Sequence, residues 1–492
     1  MKGIFWSLVF FLSSVAITAQ TTFSVTPKIK DAYRLISDLK LDSAELLINQ
    51  IIEKEPENYL VYLIENYIDF YRIFILEQKD LLRDLEKNKN ARIAQIRKGD
   101  EKNPFYLFSE AEINIQWAIA RLKFDQKMMA ARELYRAYSL LEENKKRFPE
   151  FPYNNKSLSF IHVMAQSIPG IIRSILNIEG SIKKGTHEIE ELYKWSIEQE
   201  EDLFHDEITI IYAYILFYQN NQKKKAWEVL EKKYLDTEIT SPIILFVVSN
   251  MAQKLGKTDL AIDLLTNRVR HTDAIPFDYL QLLLGKWKLY RLDWDSNIAL
   301  KNFVSSFSGQ HYLKEAYQKL AWYHLVVQDD VAGYKKYMNL LQKVGNTLVD
   351  EDKQAAQEAK KGPIPHPALL KGRLLFDGGY YQRSQSLLVR KAHLFSAPRD
   401  LLEYNYRMGR VAQELKNFPE ALSYYRLTME SKNEKSFMLC NAALQSALIL
   451  EKQKRDKQAL SFLDKCLSLK PSKYRSSIHQ KAKAARERIK NK

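Results

Sequence analysis

The sequence predicts an all-α solenoid of stacked antiparallel helical hairpins. A small residue followed four positions later by a large apolar one recurs on a helical pattern. The copies are Ala44/Ile48, Ala131/Tyr135, Ala226/Leu230, Ala261/Leu265, Ala299/Phe303, Gly333/Tyr337, Ser384/Leu388, Ala421/Tyr425 and Ala459/Leu463. From Ala226 onward the small residues lie 35, 38, 34, 51, 37 and 38 apart, a spacing typical of stacked helical hairpins. Hydrophobic residues make up 46% of the chain and charged ones 27%, an ordinary folded composition.

Five segments follow in order. Residues 1–19 read as a signal peptide. Lys2 precedes an apolar run from Ile4 to Val15, and Ala16-Ile17-Thr18-Ala19 offers a cleavage site after Ala19. With no cysteine near that site to carry a lipid, the expectation is a periplasmic or secreted bacterial protein. Residues 20–152 form an N-terminal helical-repeat region. Its first hairpin, 28–56, carries the stripes Ala32, Leu35, Ile36, Leu39 and Ala44, Leu47, Ile48, Ile51, Ile52. One or two long helices follow from Tyr59 to Gly99, with Lys79 to Arg97 expected as a solvated charged surface. Another hairpin spans Phe105 to Phe148.

Residues 153–205 break the rhythm. Pro169-Gly170, Gly180 and Gly185 punctuate short apolar helices, so an irregular helical insertion packed across the stack is expected. Residues 206–472 return to regular hairpins, with breaks at Ser241-Pro242, Ala397-Pro398 and, longest, Gly345 to Pro367. Within that last break, 349–361 reads as a helix with an acidic start, where carboxylates suit the positive end of the helix dipole. Gly362-Pro363-Ile364-Pro365-His366-Pro367 then forces an extended linker. Residues 473–492 read as a basic capping helix.

Several units resemble the tetratricopeptide repeat. Met408-Gly409 precedes Phe418, Ala421 and Tyr425, and Leu284-Gly285 precedes Ala299 and Phe303. Lys371-Gly372 precedes Gly378-Gly379, Ser384 and Leu388, and Ala459, Leu463 and Pro471 match a second helix with its terminator. The copies are degenerate, often lacking the early Trp and Tyr. The resemblance implies a right-handed α-α superhelix and a protein-binding role.

Enzyme signatures are missing from the sequence. His-Glu-x-x-His, Cys-x-x-Cys and a phosphate-binding glycine loop do not occur, and the nine histidines have no metal-ligand spacing. The prediction is therefore a chain with no catalytic, cofactor or metal site. No later stretch reaches eighteen apolar residues, the nearest being Ile208 to Tyr218, so no transmembrane span is expected in the mature chain.

Stacked hairpins leave a concave groove lined by first helices. On this register Gln318, Trp322, Arg373, Tyr406 and Arg410 lie on or near the groove. Arginines beside aromatics suit an extended peptide or an acidic segment. The alternative is a core Trp322 with solvated arginines. The predicted function is a non-catalytic adaptor that binds another protein of the cell envelope. A glycan- or nutrient-binding receptor is the other reading. The net charge of +15 is partly local: residues 470–492 carry nine Lys or Arg against Glu487. That tail could meet a membrane surface peripherally, whereas nucleic acid is not an expected partner of a secreted chain. Cys440 and Cys466 flank the last hairpin, where either a clamping disulfide or two buried thiols fit.

Overall fold

A left-handed residue sets the register of hairpin after hairpin. The structure is a computed structural model that describes residues 22–165, 179–199 and 202–490; the segment 1–19 and Pro169-Gly170 lie outside the described residues. Leu39, Asp125, Asn221, Gly256, Asp329, Gly379, Lys416 and Lys454 all have positive φ, and each stands two residues before the second helix of its hairpin. In seven of these hairpins a small, fully buried residue follows five positions later: Ala44, Ala130, Ala226, Ala261, Ser384, Ala421 and Ala459. A left-handed turn caps the first helix and reverses the chain in three residues.

This rule corrects one copy of the motif. Ala131/Tyr135 was expected to face the partner helix, yet Tyr135 is exposed and Ala130 is the buried residue. Asp125 fixes the count, and Ala137, Tyr138 and Leu141 continue the same stripe.

The described residues are helical and pair as hairpins, in a tetratricopeptide-like arrangement. On three of the first helices the hole is a glycine. A Cβ on Gly285 would lie 2.6 Å from Leu300 Cγ, one on Gly372 would lie 2.7 Å from Leu388 Cδ2, and one on Gly409 would lie 2.6 Å from Tyr425 Cδ1. Each glycine therefore receives a large side chain from the second helix, and packing at this density leaves no room for even one methyl group.

Contacts divide the chain into two compact units. The first runs to Tyr212 without Ile75–Gln78. It contains the pairs Pro27–Ser37 with Leu41–Lys54 and Phe105–Lys123 with Lys127–Arg147, and between them Val61–Leu76 and Lys79–Ile96. Asn154–Met164 and Ile182–Glu198 pack on each other within the expected insertion, and Asn154–Met164 also packs on Lys127–Arg147. A Cβ on Gly185 would meet Val163 Cγ2 at 2.7 Å.

In this unit the expectation of a solvated surface at 79–97 fails in part. Lys89 and Arg92 share a buried stripe with Ile93 and Ile96. Lys89 pairs with Glu133 at 2.6 Å, and Arg92 with Asp69 at 2.5 Å and Glu65 at 3.0 Å. Lys156 is likewise buried, 2.7 Å from Glu112 and 2.5 Å from Glu207. The partner acids sit on other helices, so the charge pattern of one helix does not reveal them. Burying such ions is tolerable only because each is paired.

The second unit consists of Ile75–Gln78 and Ala213 onward. Its hairpins are Pro242–Lys254 with Thr258–Thr266, Tyr279–Arg291 with Ser296–Ser306, and Leu313–Val326 with Val331–Leu341. Three more follow: Pro367–Asp377 with Tyr381–Arg390, Pro398–Glu414 with Phe418–Met429, and Phe437–Lys452 with Asp456–Ser468. An unpaired helix, Asp350–Lys361, is inserted between the third and fourth of these. The basic helix Arg475–Lys490 packs on the last hairpin through Ile478, Ala482, Ala485 and Ile489, leaving Lys481, Lys483 and Arg488 exposed.

The second unit curls tightly. The turn at Gly256 meets the turn at Gly379, although two whole hairpins lie between them in sequence. Thr258 Oγ1 donates to Gly378 O at 2.6 Å, Gln253 Nε2 to Asp377 O at 2.9 Å, and Tyr380 OH to Asp259 at 2.8 Å. Gly379 has φ +80°, and a Cβ there would lie 2.8 Å from Gly256 Cα. Gly379→Ala is expected to cost about 2–5 kcal/mol, the left-handed strain plus a backbone clash that cannot relax. Gly256→Ala, whose Cβ would come no nearer than 3.9 Å to Gly379 Cα, should cost only the strain, about 1–2 kcal/mol. Denaturant unfolding of both variants checks the order; equal losses would show that the two turns do not pack as described.

Candidate functional site

Curling of the second unit turns the inner faces of successive first helices toward one another and encloses a cavity of about 660 Å³. Leu313–Val326 contributes Gln318, Lys319 and Trp322, and Pro367–Asp377 contributes Arg373 and Phe376. Pro398–Glu414 contributes Glu403, Tyr406, Arg407 and Arg410. The five residues singled out from the sequence, Gln318, Trp322, Arg373, Tyr406 and Arg410, thus border the same cavity. Lys254, Lys286 and Lys319, which the sequence did not single out, join them from neighbouring positions.

Trp322 serves both alternatives at once. Its ring is 2% exposed and belongs to a core with Leu325, Tyr334 and Leu370. On the cavity side Lys319 Nζ lies 4.0 Å and Arg373 Cζ 4.8 Å from the ring centroid, within cation–π range. The Arg373 side chain remains 38% exposed, with Asp377 at 3.5 Å. Arg410 has Phe376 5.0 Å from its guanidinium and bonds Tyr406 OH at 3.4 Å, while its Nε has no partner. Asn441 Nδ2 donates to the same Tyr406 hydroxyl at 2.6 Å.

Eight lysines and arginines line the cavity against five acids. The crowding shows in the titration of the lysines. Burial, opposed by Glu315 but reinforced by Lys286 and Arg373, pulls Lys319 down to about 8. Burial and Lys286 hold Lys254 below its ordinary range as well. Lys286 itself is raised, because Glu315 at 2.7 Å outweighs its desolvation. The wall therefore carries more positive charge than its own carboxylates neutralise, and an anionic group entering it would be stabilised.

The inserted helix supplies two of the five acids, Glu351 and Glu358. Glu358 accepts from Trp322 Nε1 at 2.8 Å and from Gln318 Nε2 at 2.6 Å. Asp352 anchors the helix's other end, accepting from the backbone of Tyr312 at 2.6 Å and of Glu315 at 2.9 Å. It thereby caps the start of Leu313–Val326, where Tyr312 is left-handed at φ 62°.

Elsewhere, Cys440 and Cys466 are buried thiols with sulfurs 3.5 Å apart, on the two helices of the last hairpin. Among the described residues no three His, Cys, Asp or Glu side chains gather as a metal site would require. No described helix is long and apolar enough to cross a membrane.

Comparison with known proteins adds similarity without identity. No family model and no curated protein matches the sequence. Among solved structures, the chain is similar to one in the APC/C hetero-tetramer Cut9–Hcn1, at 10% identity over 93% of this chain and 95% of that one, with a TM-score of 0.25. It is also similar to the apo form of RapI, at 12% over 83% and 97% with 0.27, and to yeast Tom70, at 12% over 93% and 88% with 0.24. Likeness at these TM-scores carries no functional argument, and the repeat architecture rests on the hairpin packing itself.

Burial pushes the Asp352 carboxyl up to about 6, against the two backbone N–H bonds that favour its charge. Folding thus prefers neutral Asp352. Its contribution to stability is full below the unfolded pKa near 3.9 and is lost as pH rises through 6. From pH 3.5 to 7 the wild type should lose up to about 3 kcal/mol relative to Asp352→Asn. Parallel urea titrations of the two proteins measure this; a wild type that gains on the variant as pH rises would reverse the assignment.

Proposed function

We propose that this chain is a non-catalytic adaptor of the bacterial cell envelope whose second unit binds an acidic segment of another protein in the cavity around Trp322, Arg373 and Arg410. The observation that carries the reading is the excess of basic residues on a concave wall built from first helices, with aromatic rings among them. Extended acidic segments suit such a wall, because their carboxylates can accept from its guanidinium groups. The envelope location rests on the signal-like segment at 1–19. Trp322 and Tyr406, the two rings singled out from the sequence, are buried and give a glycan no open face to stack on.

Crosslinking of the tagged protein in its native envelope fraction, followed by mass spectrometry, tests the proposal. A dominant protein partner is expected, lost on Arg373→Glu plus Arg410→Glu while circular dichroism stays native. Binding should also weaken between 50 mM and 500 mM salt. Partner capture that is indifferent to the charge reversal would remove the cavity from the account.

A further inference from the structure

The inserted helix Asp350–Lys361 stands where a ligand would. It interrupts the hairpin series, has no second helix of its own, and lies against Leu313–Val326 on the cavity side. Its sequence makes it a poor core element: of its described side chains only Asp352 and Ala355 are buried, and most of the others are exposed. Beyond Ala355 and Ala359 on the Trp322 core, polar contacts hold it. Glu358 bonds the indole of Trp322 and the amide of Gln318, and Gln354 Oε1 accepts from Tyr474 OH at 2.8 Å. The linker after it, Gly362 to His366, has no regular structure and carries Pro363 and Pro365; withdrawing the helix gives up the two Asp352 bonds that cap Leu313–Val326 and the Ala355 contact with the Trp322 core, while the hairpins keep their own helical bonds.

We infer that this helix is a tethered surrogate for the partner: Glu358 occupies the carboxylate position of the wall, and an acidic protein segment binds by displacing it. The inference rests on the cavity being the partner surface. It follows from charge. With the helix in place five acids face eight bases; with the helix withdrawn, Glu351 and Glu358 leave and three acids remain. The vacated wall is then more strongly cationic, and Trp322 Nε1–H and Gln318 Nε2 become unpaired donors for the incoming carboxylate. Apparent affinity for a partner is reduced by the fraction of molecules with the helix withdrawn, so weakening the helix raises it.

Fluorescein-labelled deca-glutamate is the probe, titrated by fluorescence anisotropy into the full chain and into Glu358→Ala. The variant is expected to bind at least about tenfold more tightly. Gln354→Ala, which cuts only the exposed bond to Tyr474, should move affinity in the same direction and serves if Glu358→Ala folds poorly. Equal affinity for all three proteins, abolished by Arg373→Glu plus Arg410→Glu, would overturn the displacement and leave the cavity as the binding surface. No binding by any of them, with native circular dichroism, would overturn both.

Discussion

Two helices of a hairpin can approach closely only where one of them has no side chain in the way, and the rest of this molecule depends on that condition. Gly285, Gly372 and Gly409 leave the space, and Leu300, Leu388 and Tyr425 fill it. The left-handed turn residue then fixes which position of the second helix faces inward. In the hairpins of Gly372 and Gly409, turn, hole and knob occur together, and there the tolerance for error is less than a methyl group. In the second unit the stacked hairpins bring the turns at Gly256 and Gly379 together.

The curl has an electrostatic consequence. Side chains that an open stack would present to water are gathered around one cavity. Lys254, Lys286, Lys319, Arg373 and Arg410 come from different helices and share the same space. Internal acids offset some of this charge: Glu315 serves Lys286, and Asp377 serves Arg373. The first unit shows the contrasting solution. There Lys89, Arg92 and Lys156 are sealed in with acids at ion-pair distance. Charge is in surplus on the cavity wall of the second unit and matched at these buried pairs of the first.

The hairpin fold was legible because its signal is local: Ala421/Tyr425 or Ala459/Leu463 need no knowledge of distant residues. Ala131/Tyr135 misled because two alanines stand side by side and the deciding turn residue, Asp125, is not a glycine. Of the eight left-handed turn residues that set a hairpin's register, only Gly256 and Gly379 are glycines, so the device was largely hidden. The groove residues could be placed by register alone. What register could not give was curvature, and therefore which lysines would crowd them, or that Asp350–Lys361 would lie inside the concavity. Its acidic start marked it as a helix; its position depends on Trp322 and Gln318, some forty residues earlier.

Hydrogen exchange of the full chain, alone and with its captured partner, tests the central claim most directly. The account predicts protection on Leu313–Val326 and Pro398–Glu414 together with faster exchange in Asp350–Lys361, because the partner takes the wall and the helix gives it up. Protection confined to the first unit, with the cavity helices unchanged, would contradict it.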